Sequence, residues 1–171
     1  MGIAIVPAPL SSIDQSAEPL DVSPALHPGV RYGLAIFALA LTAVFGVAAW
    51  LHPYDQEGWP LLTETHLQLG LPPCTFRLLT GVPCPSCGMT TSFALLMHGD
   101  FAASIRANWS GTLLAGVCLC LIPWSLLCAC RGRLYVIVSL ERALTRMVIV
   151  LLSIVLLRWF IVLALNRYDS Y

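Results

Sequence analysis

Three long runs of apolar residues constrain the fold of this chain more than any other feature of its sequence. The runs lie at about residues 32–50, 109–130 and 147–165, and Arg158 is the only charged residue inside them. An α-helix rises 1.5 Å per residue, so roughly 20 apolar residues cross the hydrocarbon core of a bilayer. The sequence therefore predicts an all-α integral membrane protein with three transmembrane helices.

The composition agrees with residence in a membrane and excludes one class of partner. Hydrophobic residues make up 58% of the chain and charged residues 11%, whereas soluble domains carry roughly 25% charged residues. Lysine is absent, and nine arginines balance nine acidic residues. The apolar composition predicts the lipid bilayer as a partner. Nucleic acid is not expected, because the chain has no cluster of basic residues to attract phosphates.

The regions outside the apolar runs suggest where the membrane domain begins and ends. Residues 1–30 contain five prolines and three acidic residues but neither lysine nor arginine, a composition typical of a disordered tail. A secretory signal peptide is not expected, since it would begin with basic residues. We predict a tail at 1–30, a membrane domain at 31–166 and a short second tail at 167–171.

The arginines predict the orientation of the chain in a cell membrane. Basic residues in short loops resist translocation and stay in the cytoplasm. The connector between the second and third runs holds Arg131, Arg133, Arg142 and Arg146, whereas the longer 52–108 connector holds two arginines and four acidic residues. We therefore expect the 52–108 connector and the C-terminal tail outside the cell membrane and the N-terminus in the cytoplasm.

The 52–108 connector also carries the chemically distinctive residues. Cys74 stands ten residues before the segment Cys84-Pro85-Ser86-Cys87-Gly88. Residues 89–98 then predict a short apolar helix, which Gly99-Asp100 ends, and Asp100 can cap a second short helix at 101–108. One or two short interfacial helices are therefore expected in this cysteine-rich connector.

Residues 70–110 resemble a family of small bacterial integral membrane proteins grouped as a domain of unknown function. The family signature is an upstream Cys followed by T-G-x-x-C-P-x-C-G-x-T-R, an apolar helix, H-G-D, and R-x-N-P before a span. The matching residues are Cys74, Thr80, Gly81, Cys84, Pro85, Cys87, Gly88, Thr90, His98, Gly99, Asp100, Arg106 and Asn108, while Thr91 and Trp109 replace the family's Arg and Pro. The resemblance implies the membrane architecture and a bacterial inner membrane.

The cysteines permit three interpretations. They can shape a purely structural turn, in which they are either packed thiols or permanently bridged to Cys74 in an oxidising compartment. Alternatively, Cys84 and Cys87 can act as a catalytic redox pair, with Cys74 as the resolving thiol. In the third interpretation Cys74, Cys84 and Cys87 bind zinc, and His66 or His98 supplies a fourth ligand.

The function class that the sequence favours is a non-catalytic accessory subunit of another membrane protein. No nucleophile–base pair, phosphate-binding loop or nucleotide fingerprint occurs in the sequence. No cofactor is expected under this interpretation, and zinc is the alternative. Arg158 is expected to face protein or water, because a charged side chain at the centre of a span costs at least about 2.5 to 3.5 kcal/mol.

Overall fold

The computed structural model describes residues 25–134 and 140–165. Five α-helices occur in this part of the chain: α1 (Pro28–Trp50), α2 (Thr75–Thr80), α3 (Met89–Met97), α4 (Phe101–Arg131) and α5 (Leu140–Ala164). A 3₁₀ helix at Thr65–Leu69 precedes α2. No β-strand is formed by these residues, whose only strand-like pairings are isolated bridges. The predicted all-α class is confirmed.

Helices α1, α4 and α5 are each long and apolar enough to cross a membrane. They coincide with the three predicted runs, so the three-span architecture of a multi-pass membrane protein is confirmed as well. Most of the predicted tail at 1–30 and the whole predicted tail at 167–171 lie outside the described residues.

The first and third spans begin earlier than the apolar runs indicate. Helix α1 starts at Pro28, whose fixed φ suits the first helical position, and the ring of His27 accepts a hydrogen bond from the Gly29 N–H. Helix α5 starts at Leu140, seven residues before the predicted span. Glu141 in its first turn complements the positive end of the helix dipole, which favours this polar extension.

Helix α4 consists of two helices that meet at Asn108. This residue has φ −161° and ψ 98°, which separates a short helix at residues 101–107 from the second span. The Asp100 side chain accepts a hydrogen bond from the Ala103 N–H at 2.9 Å and caps the short helix. Both short helices predicted for the connector are therefore present, and the 3₁₀ helix and α2 are additional.

Helices α1 and α4 run antiparallel, and an arginine joins their ends. Arg31, in the first turn of α1, donates to the carbonyls of Ala129 and Cys130 at 2.9 and 3.4 Å. These carbonyls lie in the last turn of α4, where a cation offsets the negative end of the helix dipole. The 52–108 connector therefore lies at the opposite end of the α1–α4 pair.

Helix α3 packs closely between α1 and α4. The rings of Phe45 in α1 and Phe93 in α3 are stacked with centroids 5.4 Å apart. Towards α4, the buried Ser104 hydroxyl donates to the Ser92 carbonyl at 2.7 Å. A Cβ atom placed on Gly111 would clash with the Ser92 hydroxyl and lie 3.3 Å from Met89 Cα, so glycine favours this close approach between the two helices.

Helix α5 is only lightly packed against the rest of the protein. Arg158 and Val162 are its only buried residues among those whose side chains are described. Both lie in the half of the helix that follows residue 152, and the hydrogen bond from Arg158 to the Ala107 carbonyl places this half against the connector.

Candidate metal centre

Two separate segments of the connector bring three sulfur atoms together. Cys74 occupies the N-cap position of α2, and Cys84 and Cys87 lie in the turn before α3. The Sγ atoms of Cys74, Cys84 and Cys87 all lie within 4.8 Å of one another. We call these three residues the thiol cluster.

Helix α2 folds the chain back so that the two segments meet. It is only six residues long, and its C-cap is Gly81, which adopts φ +71°, a value that glycine tolerates best. The Thr80 hydroxyl accepts a hydrogen bond from the Val82 N–H at 3.2 Å, which continues the reversal. Cys84 thereby returns to the side of Cys74.

The turn at residues 84–87 is closed by backbone and sulfur contacts. The Cys87 N–H donates to the Cys84 carbonyl at 3.1 Å. In the other direction, the Cys84 N–H donates to Cys87 Sγ at 3.2 Å, and the two sulfurs are 3.3 Å apart. Pro85 lies inside this turn, where its fixed φ favours the bend.

Gly88 follows the turn at a position where no other residue fits without strain. Its φ is +77°, and a Cβ atom would lie 2.7 Å from the Ala107 carbonyl oxygen and 2.9 Å from that of Leu62. The tight approach of these two carbonyls holds the turn against both the short helix at residues 101–107 and the loop that contains Leu62.

Asn108 connects the same turn to the second span. Its side-chain amide donates to the Cys87 carbonyl at 3.0 Å, and its Oδ1 accepts from the Gly111 N–H at 3.0 Å and from the Ser110 hydroxyl at 2.7 Å. Asn108 is therefore the N-cap of the second span and at the same time a support for the thiol cluster.

The thiol cluster lines a cavity of about 300 Å³ together with His66, Thr90 and the ion pair of Glu64 and Arg77. The Glu64 and Arg77 side chains approach to 3.7 Å. Glu64 has φ +72° and is the only non-glycine residue with positive φ in the described part of the chain. This uncommon conformation turns the chain so that His66 lines the cavity.

The histidines that the sequence offered as a fourth ligand lie in different places. His66 lines the cavity with the sulfurs. His98 follows the last residue of α3, roughly 13 Å along the helix from its start, and its ring packs against His52 and Tyr54. Gly99 and Asp100 lie beyond it and serve the turn and the cap of α4. The structure therefore separates His98-Gly99-Asp100 from the thiol cluster.

The two cysteines of the turn differ in acidity. Burial raises the pKa of Cys84, but hydrogen bonds from Ser86 and from the thiols of Cys87 and Cys74 outweigh burial and lower this pKa below its ordinary value. Burial, with the neighbouring Cys84, raises the pKa of Cys87 to about 12. Cys84 therefore becomes a thiolate first.

Two groups that support the site were not identified from the sequence. Thr65 and Thr91 are buried, and their hydroxyls are 2.8 Å apart in a hydrogen bond that fixes the start of the 3₁₀ helix to α3. The indole of Trp159 in α5 donates to the Pro83 carbonyl at 2.8 Å. A buried threonine has no distinguishing pattern in a sequence, and Trp159 resembles an interfacial anchor of a span.

Arg158 faces the protein, with 3% of its surface exposed. Its guanidinium donates to the Ala107 carbonyl at 3.4 Å. Because the Gly111 N–H bonds the Asn108 side chain, the break in α4 leaves this carbonyl open to the arginine.

Residues 74–122 match the family model described as "Protein of unknown function (DUF2752)". The matched segment begins at Cys74, contains the complete thiol cluster and extends into the second span. The predicted resemblance to a family with a domain of unknown function is thus confirmed. A search of curated proteins and a search of solved structures found no match.

Proposed function

We propose that this chain is a non-catalytic accessory protein of a cell membrane, whose connector is held together by a zinc ion bound to the thiol cluster. The convergence of Cys74, Cys84 and Cys87 within 4.8 Å is the observation that carries this proposal. When bound, the ion would supply a cross-link between the two segments of the connector.

The donor set suits a soft or borderline metal ion. Thiolates select zinc and other thiophilic ions over magnesium or calcium. Two sulfurs that share a tetrahedral zinc ion lie about 3.8 Å apart, which is comparable with the spacing in the thiol cluster. Structural zinc sites normally have four protein ligands, and His66 is our candidate for the fourth because it lines the same cavity.

The proposed cell membrane is a bacterial inner membrane, in line with the resemblance to bacterial proteins. We propose that the N-terminus is cytoplasmic and that the connector and the C-terminus lie outside. Arg31, Arg131 and Arg133 lie at the end of the α1–α4 pair opposite the thiol cluster, and basic residues mark the cytoplasmic end of membrane proteins.

The proposed partner is another membrane protein. Helix α5 leaves most of its apolar surface uncovered, which is compatible with packing against a partner's helices as well as against lipid. In this role the cross-linked connector would present a fixed surface beside α5.

Metal content of the full-length protein tests the proposal. The protein is purified in detergent from its own membrane, and its zinc is measured by mass spectrometry. We expect about one zinc ion per chain, lost in Cys74→Ser and retained in the control Cys120→Ser, which changes an exposed cysteine of the second span. A wild-type protein without zinc, or equal zinc in both variants, would contradict the proposal.

A second candidate function, thiol–disulfide exchange, is favoured by the difference in acidity between Cys84 and Cys87. The Cys84 thiolate would attack a disulfide of a partner protein, breaking that S–S bond and forming a mixed disulfide. Cys87, whose sulfur is 3.3 Å from that of Cys84, would take the resolving role that the sequence assigned to Cys74. After losing its proton to water, it would attack Cys84 and release the partner's second thiol. The partner's disulfide is then reduced to two thiols, while Cys84 and Cys87 are oxidised to a disulfide.

Alkylation followed by mass spectrometry distinguishes the two functions. A metal centre predicts that Cys74, Cys84 and Cys87 react only after a chelator is added. An exchange protein predicts that Cys84 and Cys87 react only after a reductant is added. Three thiols that respond to neither treatment would leave only a structural turn.

A further inference from the structure

Trp159 of α5 contacts both segments that supply sulfurs to the thiol cluster. Its indole N–H donates to the carbonyl of Pro83, the residue before Cys84, at 2.8 Å. Its ring meets that of Phe76 edge-on, with centroids 6.2 Å apart, and Phe76 lies two residues after Cys74. One side chain from the third span therefore connects the Cys74 segment with the Cys84 segment.

The neighbouring Arg158 contacts the support of the turn at another point. It donates to the Ala107 carbonyl, the same carbonyl that leaves no room for a Cβ atom on Gly88. Two consecutive residues of α5 thus contact the support of the turn. Trp159 bonds the Pro83 carbonyl before Cys84, and Arg158 bonds the Ala107 carbonyl that packs against Gly88. Because Arg158 and Val162 are the only buried residues among the described side chains of α5, this contact is where the helix docks.

We infer that Trp159 is a positioning residue of the thiol cluster, through which the third span sets the spacing between Cys74 and the Cys84–Cys87 turn. The consequence for metal binding rests on the proposed function, whereas the consequence for thiol reactivity does not. Residues that orient metal ligands without touching the metal commonly change affinity by 10- to 100-fold when they are altered. A hydrogen bond to the backbone beside a ligand is an arrangement of this kind.

The test compares Trp159→Phe with Trp50→Phe in the full-length protein. The first variant keeps an aromatic ring and removes the N–H, and the second alters a tryptophan that is 72% exposed. In metal-free protein we expect the alkylation of Cys84 to accelerate severalfold in Trp159→Phe and to stay at the wild-type rate in Trp50→Phe. In zinc competition with a chelator, Trp159→Phe should bind about tenfold more weakly or worse.

Two further measurements make the result decisive. Phe76→Leu removes the ring contact between Trp159 and the Cys74 segment, and it should also accelerate the alkylation of Cys84. Cys118 in the second span reports general loosening, so equal acceleration at Cys118 would overturn the inference, as would wild-type values in Trp159→Phe. If wild-type protein holds no zinc, the proposed function fails, and Cys84 alkylation alone then decides the role of Trp159.

Discussion

At the scale of single residues, Gly88 offers a test of how tightly the cysteine turn is packed. We predict that Gly88→Ala destabilises the protein by about 1–3 kcal/mol more than Gly70→Ala, the typical cost of overpacking. Both glycines have similar positive φ values, but an added Cβ meets two carbonyl oxygens at position 88 and open space at position 70. Thermal unfolding in detergent measures the difference. Equal losses in the two variants would mean that the packing around Gly88 is looser than described.

Substitution of His66, compared with substitution of His98 as a control, tests which residue is the fourth metal ligand. We predict that His66→Ala weakens zinc binding at least about tenfold, because loss of a ligand should cost no less than loss of a supporting contact. His98→Ala should leave the affinity unchanged, since its ring packs against His52 and Tyr54. Chelator competition provides the measurement. If the two variants bind zinc equally, the fourth position is not filled by His66.

The acidity of Cys84 predicts how the alkylation of metal-free protein depends on pH. Alkylating reagents attack the thiolate, and the thiolate fraction of a group grows as pH rises through its pKa. The pKa of Cys84 is lowered and that of Cys87 is raised to about 12. Near neutral pH, Cys84 should therefore be alkylated first, and Cys87 should stay protected until strongly alkaline pH. Site-resolved mass spectrometry checks this order, and faster labelling of Cys87 at pH 7 would contradict it.

At the scale of helices and turns, the Asn108 break couples the second span to the thiol cluster. We predict that Asn108→Ala costs about 1 kcal/mol or more, because it removes an N-cap and leaves the half-buried Cys87 carbonyl without its donor. Ser110→Ala removes only one bond to the same side chain and should cost less. Thermal unfolding compares the two, and faster alkylation of Cys87 should accompany only Asn108→Ala.

Much of this helical framework could be predicted from local patterns. The apolar runs define three spans, and Gly99-Asp100 predicts the boundary between α3 and α4 because glycine ends helices and aspartate caps them. Asp100 does cap α4 through the Ala103 N–H. The early start of α1 depends on His27 and Pro28. A search for apolar runs does not find this start, because histidine is polar and proline usually breaks helices.

The convergence of the candidate site could not be predicted in the same way. Helix α2 has six residues, too few for a helical period to show in a sequence. The position of His66 depends on a left-handed Glu64, a conformation that glutamate rarely adopts. The contact between Trp159 and Pro83 spans 76 positions along the chain, and no local pattern indicates which residues meet across such a separation.

At the scale of the whole molecule, the arginines predict the orientation of the protein. Single cysteines introduced at Gln56 and Ser139, in a protein whose own thiols are blocked, are treated with an impermeant maleimide on intact cells. We expect labelling at position 56 and none at position 139, because basic connectors are retained in the cytoplasm. Position 139 lies outside the described residues, between α4 and α5. Labelling at 139 without labelling at 56 would reverse the orientation.

The arginines and the thiol cluster lie at opposite ends of the α1–α4 pair. The direction in which the chain inserts into the membrane therefore sets the redox environment of the cysteines. Arg31 bonds the last turn of α4 at one end of the α1–α4 pair, and the three sulfurs lie at the other end. A hydrocarbon core of about 30 Å would separate the two ends in a bilayer. In the proposed orientation the sulfurs face an oxidising exterior, whereas a chain inserted in the reverse direction would expose them to the reducing glutathione pool of the cytoplasm. In the proposed topology, arginines at the far end of the helices would thus determine whether a metal ion at Cys74, Cys84 and Cys87 has to compete with disulfide formation.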